Sequence, residues 1–249
     1  TREVDGLVDM LFDATDRPRE PVTVERLHGW HVGLFPDGTS GGRRLVVGDW
    51  RDDREGAMQV VSGAINRPRV HFEAPPAERV SDEMARFLAW LDAPKHDPLL
   101  VAAIAHLRFL TIHPYEDGNG RIGRALADLL LARADGTPRL YSMSSRILAE
   151  RPGYYAALER AQRGDLDVTP WLLWFLGCLE SAVADAEGVF EIVRTRTRFH
   201  QDFAEAGLND RQLKVVARMI DGLRGEMNSA LYAKLAKCSR DSAVGDLND

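Results

Sequence analysis

Residues 112–124 read Ile112-His113-Pro114-Tyr115-Glu116-Asp117-Gly118-Asn119-Gly120-Arg121-Ile122-Gly123-Arg124, and helical periodicity flanks the stretch on both sides. Upstream, within 98–112, Leu100, Ile104, Leu107 and Thr111 recur at steps of three and four; downstream, Ile122, Leu126, Leu129 and Leu130 do the same. Two helices with one buried face each are expected to meet here. The first must stop at His113, because Pro114 disfavours helical geometry in the residue before it, and the second starts in the glycine-rich turn. His113 therefore stands at a loop mouth.

The turn has the make-up of an anion site. Gly118 and Gly120 remove side chains where the backbone bends, and the amides opening the next helix point outward unpaired. Arg121 and Arg124 fall on the same side of its first turn, where positive charge opposes the helix dipole unless an anion compensates it; both guanidiniums can grip phosphate oxygens. Asp117 adds a hard carboxylate suited to sharing magnesium with a nucleotide. An imidazole such as His113, with an unperturbed pKa of about 6.5, can take a proton from a hydroxyl at neutral pH. A base, a metal ligand, an oxyanion cradle and two arginines are the parts of a phosphoryl or nucleotidyl transfer site.

Further out, helical patterns cover residues 4–12, 22–34, 81–91, 153–163 and 170–198, with Ser81, and Thr169 before Pro170, as N-terminal signals. Residues 45–47 and 58–72 read otherwise: 58–61 and 69–72 as short strands around a turn at 63–68. The expected architecture is an all-α domain over 1–200 carrying one small β-hairpin. After Gln201 come three short helices, starting near Leu208, at Asn228 and Ser229, and at Ser239, which make a separate module over 205–249, truncated and winged-helix-like. A helix-turn-helix placing its third helix on DNA is one reading of it. A plain helical packing module is favoured, because no wing follows and Asp241, Asp246 and Asp249 oppose phosphate contact.

Composition bounds the rest. The 249 residues are 45% hydrophobic and 28% charged, with a net charge of -6, which excludes a disordered chain and a global basic field for nucleic acid or anionic membranes. The longest uncharged run, 168–179, is well short of the roughly 20 residues that span a bilayer, so no membrane segment is expected. Cys178 and Cys238, far apart, make neither a disulfide framework nor a paired-cysteine zinc pattern, and a cytoplasmic setting is expected. The start at Thr1 reads as the edge of a longer protein. Apolar helix faces leave room for a homodimer.

From His113 to Arg124 the spacing resembles the signature of the Fic family: histidine, proline, aromatic, any, acidic, glycine, asparagine, glycine, arginine, any, any, arginine. Tyr115 stands where phenylalanine is usual, which keeps the ring but adds a hydroxyl that needs a partner. The resemblance extends over about 22–179. It implies that 58–76 is a flap hairpin, with Arg69, Val70 and His71 near the nucleotide and with target backbone added as a strand. It implies an adenine-side patch at Tyr154, Tyr155 and Gln162, with His113 as base, Asp117 as Mg²⁺ ligand, and Gly118, Asn119, Gly120, Arg121 and Arg124 on the phosphates. The activity it implies is AMP transfer from ATP to Ser, Thr or Tyr hydroxyls of a target protein, its own chain included. The alternatives are Fic-type removal of AMP and a DNA-linked transcriptional regulator that uses the nucleotide site as a sensor. Relatives carry an inhibitory helix of Ser or Thr, three residues, Glu, then Gly or Asn, whose glutamate pairs with the second arginine, here Arg124. Thr1-Arg2-Glu3-Val4-Asp5-Gly6 has that spacing with an aspartate, and the expectation is that the inhibitory helix lies before Thr1.

Overall fold

A computed structural model describes residues 2–54, 56–64, 67–136, 141–164, 166–202, 207–220, 222–223 and 226–248. Two helices open the chain, α1 (Arg2–Asp16) and α2 (Val24–Leu34). The Asp13 carboxylate pins them together by accepting Arg26 Nε–H and Trp30 Nε1–H, both at 2.8 Å. They cross where only glycine fits, since a Cβ on Gly6 would lie 1.9 Å from the Gly33 carbonyl oxygen. Thr23 caps α2 by accepting from the Arg26 N–H. Thr1, the first residue of the candidate inhibitory segment, lies outside the described residues; Asp5 is exposed on α1.

The strands differ from expectation. Residues 45–47 are non-helical as expected, and just before them a first hairpin pairs β1 (Thr39–Ser40) with β2 (Arg43–Arg44) around Gly41 and Gly42, both in the left-handed region that their missing Cβ permits. The Val46 N–H is instead accepted by the Glu116 side chain at 2.8 Å, so this backbone is satisfied without a sheet partner. Among the described residues there are thus two hairpins, not one. The second is the flap, β3 (Gln59–Ala64) against β4 (Arg67–Glu73), antiparallel with Val61 opposite Val70 and an irregularity at Val60 and Val61. Residues 65 and 66, within the expected turn, lie outside the described residues.

Helix α3 (Ala77–Asp92) starts four residues before Ser81, because Asp53, distant in sequence, accepts the Ala77 N–H at 2.7 Å and supplies the cap that Pro76 cannot. Its Val80, Met84, Phe87 and Leu91 form one buried stripe. Asp97 caps α4 (Pro98–Ile112), whose Val101, Ala105, Phe109 and Ile112 are buried along with Ala102, Ala103, His106, Leu107 and Leu110, whereas Leu100, Ile104 and Thr111 of the expected face are only partly so. Against it packs α5 (Asn119–Asp135), followed by the short α6 (Met143–Ala149), α7 (Arg151–Arg163) and α8 (Thr169–Asp202). Trp171 and Phe175 of α8 are wholly buried in the core with Tyr115, Phe87 and Phe109; each such side chain contributes about 1.5–3 kcal/mol.

The chain divides into two units, Thr1–Val183 and Ala184–Asp249, so the division falls inside α8, upstream of the expected 200–205. The second contains α9 (Asp210–Ile220), α10 (Ser229–Ala236) and α11 (Arg240–Asn248) around Val215, Tyr232 and Ala243. Asp246, which the sequence reading sets against phosphate, turns inward instead and accepts from Arg211, Asn209 and Tyr232. Among the described residues no helix is long and apolar enough to cross a membrane.

Candidate active site

His113 ends α4 in the left-handed conformation, φ 52° and ψ 59°. A side chain in that region costs about 1–2 kcal/mol, so its surroundings must hold it there. They do so through the backbone. The His113 N–H donates to the Phe109 carbonyl at 2.9 Å, its carbonyl accepts Arg51 Nε–H at 2.8 Å, and the Pro114 carbonyl accepts the Arg51 backbone N–H at 2.9 Å. Asn119 closes the loop from within. Its Nδ2–H donates to the Tyr115 carbonyl and its Oδ1 accepts the Tyr115 N–H, so the buried carboxamide braces the turn and only its backbone faces outward. Gly118 has φ 85°, and a Cβ there would meet Phe35 at 2.9 Å.

The Tyr115 ring is buried and stacks on His31 at 4.1 Å, and the hydroxyl that needed a partner meets His28 Nδ1 at 3.1 Å. Burial raises its pKa, so it stays a phenol. His31 accepts the Gly48 N–H on Nδ1 and therefore donates from Nε2 to the Asp117 carbonyl, fixing the loop from below.

Imidazole Nδ1 of His113 lies 3.3 Å from the Leu110 carbonyl, which can only accept. The partner assigns the proton to Nδ1 and leaves the Nε2 lone pair for substrate. Burial pushes the pKa down to about 4, with the Arg51 charge acting in the same direction, so the ring is neutral at pH 7.

Asp117 is half exposed, its Oδ1 accepting the Gly118 N–H and its Oδ2 the Ser40 hydroxyl, both at 2.6 Å. Because the Gly118 amide is thus engaged, the outward N–H groups of the helix start are those of Asn119, Gly120 and Arg121. The arginines diverge in what they touch. Arg121 lies over the Phe35 ring at 4.8 Å with its guanidinium 3.8 Å from Asp117, whereas Arg124 bonds to the Tyr154 hydroxyl. That hydroxyl donates in turn to His106 Nε2 at 3.0 Å, and His106 Nδ1–H donates to the Gly123 carbonyl at 2.9 Å. His106 is fully buried, and desolvation brings its pKa to about 4, which keeps it neutral as this chain requires.

Tyr154 is therefore a core residue with one functional contact, whereas Tyr155 is 47% exposed. Both tyrosines line a cavity of about 450 Å³ with Arg124, Ser144 and Arg151. A second cavity of about 350 Å³ lies between flap and α7, lined by Val60, Val61, His71, Tyr155, Leu158 and Gln162. Gln162 donates to Thr111 at 3.3 Å. Flap residues Arg69 and His71 reach Glu159 of α7 at 3.3 and 2.7 Å, and Arg163 donates to the Val70 carbonyl, so β4 is fastened to α7.

Sequence reasoning missed Arg51, His106, Glu159 and Arg163. One signal was available: His106 is a polar residue on a buried helix face, which demands a partner. Arg51 sits in a charged run that reads as solvated surface, and its contacts are 24 and 62 residues away.

The first unit thus combines an imidazole and a helix start in one turn with a two-stranded flap fastened to α7. The Fic/DOC family model matches residues 21–131. It is 35% identical over 116 residues to the protein adenylyltransferase fic-1 of Caenorhabditis briggsae, 44% of this chain and 22% of that one. It is 34% identical over 128 residues to the protein adenylyltransferase Fic of Culex quinquefasciatus, 49% of this chain and 24% of that one. The chain thus spans about a quarter or less of the length of these curated relatives. A Fic family protein from Desulfovibrio desulfuricans G20 superposes with a TM-score of 0.63 at 26% identity, over 99% of this chain and 66% of that one.

Proposed function

We propose that the chain is a protein adenylyltransferase, moving AMP from ATP to a Ser, Thr or Tyr hydroxyl of a protein. The observation that carries this reading is one turn that holds both a neutral imidazole with a free Nε2 lone pair and the open amides of a helix start. The names of the two relatives support it. His113 Nε2 takes the hydroxyl proton as the oxygen bonds to the α-phosphorus. The bond from that phosphorus to the bridging oxygen breaks, and pyrophosphate leaves with the electron pair. The N–H groups of Asn119, Gly120 and Arg121, with the Arg121 and Arg124 guanidiniums, bind phosphate oxygens and offset the charge gathering on the leaving group.

Asp117 suits Mg²⁺, being a half-exposed hard oxygen donor beside the cradle. Bound there, the ion would supply positive charge to the phosphate oxygens. The cavity bounded by Tyr155, Leu158 and Gln162 takes the adenine. Since β4 is fastened to α7, β3 of the flap is the edge offered to target backbone.

The test is incubation of lysate proteins with ATP labelled at the α- or the γ-phosphate, with His113→Ala as control. Label from the α-phosphate with an AMP mass increment, lost in the variant, is expected. Transfer of the γ-label, or of neither label by a protein that binds ATP, overturns the reading.

A further inference from the structure

Arg51 is the one arginine whose side chain is wholly enclosed at the site, 0% exposed, and the mechanism above does not use it. Its guanidinium makes three bonds in three directions: Nε–H to the His113 carbonyl at 2.8 Å, one terminal nitrogen to Asp53 Oδ1 at 2.7 Å, and the other to the Pro75 carbonyl. Its own backbone N–H donates to the Pro114 carbonyl. Two of these four bonds fall on successive carbonyls, those of His113 and Pro114, where the chain leaves α4 through its left-handed turn. The other two fall on the exit of the flap: Pro75 lies two residues beyond the end of β4, and Asp53 also accepts the Ala77 N–H that opens α3. A planar fork with fixed donor directions makes this junction, and a lysine, with one point charge, cannot.

We propose that Arg51 is a positioning residue for His113: it holds the base in its left-handed conformation, aims Nε2 at the substrate hydroxyl, and ties the flap exit to the same turn. The proposal rests on the reading of His113 as the base. Backbone geometry alone supports it, because the bonds on the His113 and Pro114 carbonyls fix two successive peptides beyond the His113 Cα and so oppose relaxation of φ 52° to the right-handed region. The charged groups acting on the imidazole are Arg51 and Asp117, and the Arg51 charge disfavours its protonation.

The experiment has two arms. In the free wild-type protein, NMR should show a slowly exchanging Arg51 Nε–H with scalar coupling across the hydrogen bond to the His113 carbonyl carbon. An absent coupling, or a freely exchanging Nε–H, overturns the proposal with no variant needed. In the second arm, Arg51→Lys should lower kcat of transfer about 100-fold, the scale of a misplaced reacting group, with KM for ATP unchanged. Arg51→Gln should move the His113 titration midpoint upward. Asp53→Asn, which leaves the bond to His113 intact, should keep kcat near wild type. A folded Arg51→Lys with wild-type kcat, or an Asp53→Asn that loses as much, overturns it. An inactive wild type would sink the transfer reading alone, since the coupling and the titration are read without turnover.

Discussion

At the scale of single residues, the site depends on which protons its neutral groups carry. His113 stays unprotonated down to about pH 4 in the free protein, so kcat/KM for transfer should be level from pH 7 to 5 and fall only as pH 4 is approached. An acid limb centred near 6.5 would mean that the base is an unburied imidazole elsewhere. Arg124 poses a different question, because its guanidinium is aimed by a relay through Tyr154 to His106. Arg124→Ala should weaken ATP binding by about 1.5–3 kcal/mol, the worth of a charge-assisted bond. Tyr154→Phe, which keeps the ring but removes the acceptor, should weaken it by about 0.5–1.5 kcal/mol. Calorimetry of nucleotide binding compares the two. Equal affinities in wild type and Tyr154→Phe would show that the relay does not place the arginine.

At the scale of elements, the flap is held on one side through Glu159, whose carboxyl is kept ionised chiefly by its bond to His71 and further by Arg69. Glu159→Gln should speed amide exchange in β4 several-fold while α4 and α5 keep their protection, as hydrogen-exchange mass spectrometry would show. Unchanged exchange in β4 would place the fastening in Arg163 alone. The helices meeting at His113 were legible in the sequence because apolar residues recur at three and four on either side of a break that Pro114 and the glycines mark by local chemistry. Three features were not. The first hairpin is two residues per strand and carries no alternation to read. α6 has only seven residues, too few for a period to show. The start of α3 depends on Asp53, more than twenty residues away, so Ser81 looked like the better cap. The motif residues His113, Asp117 and Arg124 lie within one short stretch. Of the groups around them, His106 lies seven residues upstream on the helix that ends at His113, whereas Arg51 and Tyr154 come from segments that only folding brings in.

At the scale of the whole molecule, the two units titrate differently. In the first, burial holds His31 and His106 at pKa values of about 4, against about 6.5 for an unfolded histidine. Between those values the unfolded chain carries protons that the folded unit does not. Stability fully present above pH 6.5 is therefore lost as pH falls toward 4, with a slope of about 1.4 kcal/mol per pH unit for each histidine. In the second unit Asp246 is a buried carboxylate, and its pKa is lowered chiefly by its bonds to Arg211. Its contribution is complete above the unfolded value of 3.8 and is lost only below it. Acidification from pH 7 to 5 should thus weaken the first unit and spare the second. The sequence supplies a selective probe, since all five tryptophans, at 30, 50, 90, 171 and 174, lie in the first unit. The melting temperature followed by tryptophan fluorescence should drop between pH 7 and 5, while exchange protection of the amides in α9, α10 and α11 holds. A fluorescence melt independent of pH would show that the two buried histidines are protonated in the folded state. Protection in α9–α11 that falls in step with the fluorescence would show that the units unfold together.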